Sequence, residues 1–112
     1  MQDFARSSCP IAVALDLLGD KWTLLVVRDL FRGVRRYNEF LESPENIPTS
    51  ILADRLKRLQ AAGLISKTAY QTKPDRFAYQ LTRAGKRLGP VLKELVRWSK
   101  KQYPETRTFL ET

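Results

Sequence analysis

Thr49-Ser50-Ile51-Leu52-Ala53-Asp54-Arg55-Leu56-Lys57-Arg58-Leu59-Gln60-Ala61-Ala62-Gly63 is the stretch that decides the fold. Leu52, Leu56 and Leu59 recur four and three residues apart, the spacing of a single helical face. Thr49 is placed to cap the run and Gly63 to stop it, which predicts a helix to Ala62, about 14 residues or about 21 Å long. At about 100° per residue, Ser50, Asp54, Lys57, Arg58 and Ala61 fall opposite the leucines, with Arg55 on the flank. One side of this helix belongs to a core. The other carries short polar and cationic side chains suited to a partner's surface.

Beyond Gly63 the period changes from 3.6 to 2. Phe77, Tyr79 and Leu81 alternate with Arg76, Ala78 and Gln80, and residues 65–70 supply a partner strand. Gln71-Thr72-Lys73-Pro74-Asp75 joins the two as a hairpin loop. Thr82 is a cap for a last helix over 83–103, with Ala84, Leu88, Val91, Leu95 and Trp98 on one stripe and Leu92 widening it. Pro90 lacks the N–H that a helix interior needs, so a bend or restart is expected after Gly89. Upstream, Ser43-Pro44-Glu45-Asn46-Ile47-Pro48 is turn chemistry. A short helix over 35–41 precedes it, with Tyr37, Phe40 and Leu41 inward. Before that, Asp20 is a cap for a helix over 21–31 in which Trp22, Leu24, Leu25, Val26, Val27, Leu30 and Phe31 leave only a narrow polar stripe, Arg28 and Asp29. Pro10, Ile11, Ala14, Leu15 and Leu18 form a first helix over 10–18, ended by Gly19.

The composition removes whole classes of chemistry. The 112 residues contain one Cys and no His, so neither a structural zinc site nor an intrachain disulfide can be built, and an imidazole base is missing. Metal, haem and other cofactors are not expected. Glu39, Glu42 and Glu45 read as helix and turn carboxylates rather than an acid/base pair, so an enzyme is the weakest class. Asp3 and Arg6 interrupt the N-terminus and no apolar run reaches membrane-spanning length, which predicts a soluble, cytoplasmic protein. With neither repeat nor linker, residues 1–112 read as one domain. Twenty Lys and Arg against 12 Asp and Glu leave a net charge of +8, which points to a polyanionic partner, nucleic acid first. The charge is uneven, acidic over the first twenty residues and most basic over the last thirty.

The fold class is therefore mainly α with a small β-hairpin. Helix, buried helix, short helix, turn, helix, hairpin, helix is the order of a winged helix-turn-helix domain, whose 49–62 helix enters the DNA major groove while the hairpin reaches alongside. On that reading Thr49 and Ser50 meet a phosphate or a base. Lys57 and Arg58 contact DNA, and Asp54 accepts from a cytosine amino group or orients Arg55 or Arg58. Arg35, Arg36 and Asn38, at the start of the short helix, are candidates for phosphate, with Arg36 pairing to Glu39 as the alternative. Lys73 and Arg76 flank the hairpin apex and reach the minor groove or backbone, with Lys67 a weaker candidate. Trp22 and Trp98 fall on apolar stripes, which suits packing better than ligand stacking. The first and last helices hold more apolar surface than a small domain covers. A second copy would bury Ile11, Leu15, Leu18, Leu88, Leu92, Leu95 and Trp98. Lys86, Arg87, Lys93, Arg97, Lys100 and Lys101 make the solvated side of the last helix.

Several pieces in fixed order carry a resemblance. They are Cys9-Pro10, Leu18-Gly19-Asp20-Lys21-Trp22-Thr23 with Leu30 after it, and Arg36-Tyr37-Asn38-Glu39-Phe40. Ile47 to Leu59 then runs into Gly63-Leu64-Ile65, followed by the stretch from Pro74 through Leu81-Thr82-Arg83-Ala84-Gly85, and Trp98. Over nearly its whole length the chain resembles the HxlR-type family of bacterial winged-helix transcriptional regulators. It departs from the family in having Asp20 where a second glycine is frequent, and Tyr37 and Phe40 where Phe and Leu are common, both size-tolerant packing changes. The resemblance implies a homodimer held mainly by the first and last helices on an inverted-repeat operator in double-stranded DNA, acting as a repressor. It also implies a role for Cys9, since some members carry a cysteine here that answers quinones, aldehydes, hypochlorite or other electrophiles and oxidants, by adduct or by a disulfide between subunits. Cys9 precedes Pro10 at a helix N-terminus, where the dipole favours the thiolate, and the competing reading is an inert, partly buried thiol. Two other classes stay open on the sequence: a nucleic-acid module with no sequence choice, and a winged-helix protein-interaction module.

Overall fold

Val27, Leu52 and Leu59 have no exposed surface, and around them the apolar side chains of five elements close into one core. The computed structural model describes residues 6–108. Its elements are α1 (Pro10–Leu18), α2 (Thr23–Phe31), α3 (Tyr37–Phe40), α4 (Thr49–Ala61), β1 (Ile65–Gln71), β2 (Arg76–Leu81), α5 (Arg83–Lys86) and α6 (Gly89–Gln102). The core takes Val26, Val27 and Leu30 from α2, Phe40 from α3, Leu52, Leu56 and Leu59 from α4, Ile65 from β1 and Leu92 from α6, with Ile47 from the turn before α4. Each buried side chain of this size contributes about 1.5–3 kcal/mol relative to exposure. The leucine face of α4 is thus its core face, as its spacing predicts. Among the described residues no helix is long and apolar enough to cross a membrane.

The joints between elements are made by side chains that the periodicity does not reveal. Asp20 accepts from the backbone N–H groups of Trp22 (3.0 Å) and Thr23 (3.2 Å) and from the Thr23 hydroxyl. These bonds fold Lys21 and Trp22 into a turn, so α2 starts at Thr23 rather than at 21. The narrow polar stripe of α2, Arg28 and Asp29, is itself buried. Arg28 donates to Asp29 and, through both terminal nitrogens, to Glu45 (2.7 and 2.8 Å), while the Ser43 hydroxyl donates to Asp29. Ser43 and Glu45 lie in the turn leading into α4, so this network fixes that turn to α2. Among the described residues, every buried side-chain nitrogen and oxygen has a partner, as the cost of leaving one unpaired requires.

Residues 35 and 36 are not helical, a correction to the short helix expected there. Arg36 forms an antiparallel bridge with Ala78, and the Tyr79 N–H donates to the Arg35 carbonyl at 2.7 Å. The segment adds a rudimentary third strand to the hairpin and half-buries Ala78, which simple alternation would place outside. β1 and β2 pair antiparallel, from Ile65 opposite Leu81 to Gln71 opposite Arg76, with an irregularity between Ala69 and Gln71. Pro48, not Thr49, occupies the N-cap position of α4, and Thr49 begins the helix. Gly63 ends the helix at φ +77°, a left-handed conformation that favours glycine. The last helix restarts as expected. The Thr82 hydroxyl accepts from Gly85 N–H (3.2 Å) and donates to the Gly63 carbonyl (2.6 Å), clasping α5 to the end of α4. Pro90 sits in the first turn of α6, where its missing N–H has no partner to lose.

Candidate nucleic-acid interface

The surface opposite the leucines of α4 is exposed. Ser50, Asp54 and Lys57 are solvent-facing and Arg58 is half-buried. Ala53, Lys57 and Gln60 form a row along this helix and, with Lys67 of β1, line a groove of about 770 Å³ bounded by Tyr37 and Tyr79. Ala53 and Gln60 line this groove, and the charge-led reading passes over them, although their four- and three-residue spacing from Lys57 marks them. A second groove of about 550 Å³ brings Arg36 and Asn38 together with Tyr70, Arg76 and Phe77. Tyr37 and Tyr79 line both grooves, and the Tyr37 hydroxyl donates to the Thr49 carbonyl at 2.7 Å, which sets the start of α4 against α3. Burial pushes the Tyr79 phenol up, with the neighbouring Tyr37 adding to it.

Not every expected contact is available in the way the sequence suggests. The backbone N–H groups of Arg35 and Arg36, just before α3, are taken up within the protein, because Glu39 Oε1 accepts from Arg36 N–H (2.8 Å) and Arg35 N–H (3.1 Å). These two backbone bonds, Arg36 first, hold the Glu39 carboxyl below its usual range. Glu39 therefore meets Arg36 through the backbone. The Arg36 guanidinium lies over the Tyr70 ring at 4.1 Å from its centroid, which aims it along the wing. Arg35 donates to the carbonyls of Leu30 (2.9 Å) and Val34 (3.1 Å), closing the end of α2. Arg55 is drawn inward. Its Nε donates to Asp20 at 2.8 Å and its Nη1 to Asp54, so Arg55 ties α4 to the turn before α2, and Asp54 orients Arg55 rather than Arg58. Lys73 stands exposed at the hairpin apex and Arg76 beside it at the start of β2, while Lys67 is held over the Phe77 ring.

Away from these grooves, α1 and α6 leave an apolar stripe in solvent. Ile11 is 71% exposed and Trp98 59%, with Leu15, Val91 and Leu95 exposed beside them. Leu92 is a correction to the expected interface. At 6% exposure it belongs to the protomer's own core, because it faces α2 and not the open stripe. Leu88 is half-buried against that core and Leu18 is also half-buried. Trp22 packs on the core, whereas Trp98 makes an edge contact with Tyr103. The six cationic residues expected on the solvated side of α6 and before it are exposed. Cys9 is exposed at the N-cap of α1, where backbone donors of Ala12 and then Ile11 lower its thiol below the ordinary value. Arg6 turns instead to Asp16 (2.7 Å) and the Ala12 carbonyl.

A family model for HxlR-like helix-turn-helix domains matches residues 17–107, which covers α2 through α6 and both grooves. The chain belongs to the HxlR-like helix-turn-helix family. A relative, the HTH-type transcriptional regulator sll1512 of Synechocystis, is 40% identical over 84 residues. That match covers 75% of this chain and 62% of the relative, so the chain spans less than two thirds of that regulator's length. The solved structure of PA1607, described as a transcription factor, superposes with a TM-score of 0.79 at 33% identity, over 92% of this chain and 72% of that one. The redox regulator HypR in its oxidized form superposes at 0.75 with 28% identity, over 89% and 99%. The HxlR-like fold here is a winged helix-turn-helix, and the relatives it matches are described as transcriptional regulators.

Proposed function

We propose that the protein is a sequence-specific repressor that binds an inverted-repeat operator as a homodimer. The observation that carries this reading is α4 itself, with its three leucines sealed into the core and Ser50, Lys57, Ala53 and Gln60 on the open side. A helix so anchored presents a rigid reading face of the width a major groove admits. Lys57, with Ser50 and Thr49 at the helix start, reads bases. Arg36, Asn38, Lys73 and Arg76 hold the phosphate backbone, and Arg58 extends the basic surface at the far end of α4. The exposed stripe of Ile11, Leu15, Leu95 and Trp98 supports pairing of two copies through α1 and α6. Cys9 is the proposed point of control, supported by its exposure, its lowered thiol and the description of HypR as a redox regulator.

The test is selection of bound duplexes from a random pool at about physiological salt, where nonspecific binding is weak. It is run with reduced protein and again after diamide. Enrichment of an inverted repeat with half-sites about 34 Å apart is the expected result, and its loss with diamide assigns control to Cys9. Cys9→Ser should keep the motif and lose the diamide response. A response retained in that variant removes the thiol switch, because the chain has no other cysteine. A pool with no enriched motif removes the operator reading.

A further inference from the structure

Between α2 and α6 lies a cleft of about 330 Å³, walled by Leu24, Leu25, Leu92, Leu95 and Val96. Arg28, Glu45, Lys100 and Arg107 also line it. Its volume falls at the lower end of the roughly 300–1,000 Å³ of small-molecule sites. The lining charges are unequal, three cations against one carboxylate, and Arg28 is shared between that carboxylate, at 2.7 and 2.8 Å, and the buried Asp29 behind it, at 2.9 and 3.1 Å, which leaves the cations in excess even with Asp29 counted. An apolar chamber with a guanidinium in its lining and two more cations beside it favours an organic anion over a neutral or cationic guest.

We propose that this cleft binds a small apolar monocarboxylate, its hydrocarbon body between the leucines of α2 and α6 and its carboxylate on Arg28 in competition with Glu45. Glu45 sits in the turn that leads into α4, and its tie to Arg28 is one of the two that hold the turn, the other running from Ser43 to Asp29. A guest that takes Arg28 releases Glu45 and loosens the entry to the DNA-reading helix. That consequence rests on the proposed DNA-binding function, whereas occupancy of the cleft does not.

Calorimetric titration of the full chain with 2-naphthoate and with its uncharged counterpart 2-naphthamide tests occupancy. Binding of naphthoate at least about tenfold tighter than the amide is expected. Lys100→Gln combined with Arg107→Gln, both exposed positions, should weaken naphthoate by about tenfold and leave the amide unchanged. Glu45→Gln removes the competitor and should tighten naphthoate severalfold, with circular dichroism confirming the fold. The proposal is overturned by equal affinities for the two probes or by no binding of either, as when a second copy fills the cleft. An unchanged naphthoate affinity in both the double variant and Glu45→Gln overturns it as well. In a separate anisotropy measurement, saturating naphthoate should weaken duplex binding at least severalfold, and an unchanged affinity overturns the coupling. Absence of duplex binding by the unliganded protein instead overturns the proposed function, while the titration still decides the cleft.

Discussion

Asp20 shows how much one side chain can organise. It closes the turn before α2 and holds Arg55 of α4, so two helices share one carboxylate. Burial acts to raise its pKa, but the hydrogen bonds from Thr23, Arg55 and Trp22 outweigh that and hold the carboxyl well below the usual range. Because the folded-state value is depressed, the unfolded chain takes up the proton first. The stability from Asp20 is complete above about pH 4, the unfolded value, and is lost as the pH falls further. Asp20→Asn should lower stability by about 1–3 kcal/mol at pH 7 and flatten the acid limb. Urea melts between pH 2.5 and 7 check both, and an unaltered acid limb in the variant would remove Asp20 from the account. Gly85 makes the opposite kind of demand. A Cβ there would stand 2.0 Å from the Leu64 carbonyl oxygen, so Gly85→Ala should cost about 1–3 kcal/mol, despite the better helix propensity of alanine. A thermal midpoint equal to wild type would show that the packing of α5 against Leu64, between α4 and β1, yields freely.

Among the elements, the proposed function divides the work of binding between α4 and the segment before α3. Arg36 is held over Tyr70 beside the wing, the position from which it is proposed to meet the backbone of any duplex. Arg36→Ala should weaken binding to all sequences and reduce the salt slope by roughly 1. Lys57 stands in the middle of the exposed row of α4, and Lys57→Ala should change preference at one base position. Anisotropy titrations over a salt series, against the selected duplex and its single-base variants, separate these outcomes. A changed base preference in Arg36→Ala with an intact salt slope would reverse the two roles. Both roles depend on elements held by polar joints: α3 is fixed to α4 by the Tyr37 hydroxyl, and the turn between them by Arg28 and Asp29.

At the scale of the whole molecule, the exposed stripe of α1 and α6 is the feature a lone protomer leaves unburied. Exposed apolar side chains at helical spacing on the first and last helices suit a two-fold interface. Trp98→Glu combined with Ile11→Glu changes only exposed positions, so the protomer should keep its fold by circular dichroism. Sedimentation should shift it from dimer to monomer. Duplex affinity should fall by at least about tenfold, since an inverted repeat then binds each half-site alone. A variant that still sediments as a dimer would place the interface elsewhere.

The element order was legible because its signals are local. Leu52, Leu56 and Leu59 mark the core face of α4, the period-2 run from Arg76 marks a strand, and Pro90 marks the restart of the last helix. The exposed face of α4 follows from the same angular arithmetic, applied to the residues the leucines leave outside. What the sequence could not determine was where each charged side chain spends its bonds, since that depends on groups distant in the chain. Arg55 finds Asp20 thirty-five residues away and Arg28 finds Glu45 seventeen away; neither pairing has a spacing signature. Arg35 and Arg36 look like the cationic start of a helix until β2 arrives to pair with them. Leu92 and Leu95 stand three apart on one stripe, and only the packing of α6 against α2 decides that the first is core and the second surface. Periodicity is a property of the chain and is written in its sequence, whereas the partner of a charge is a property of the folded space around it.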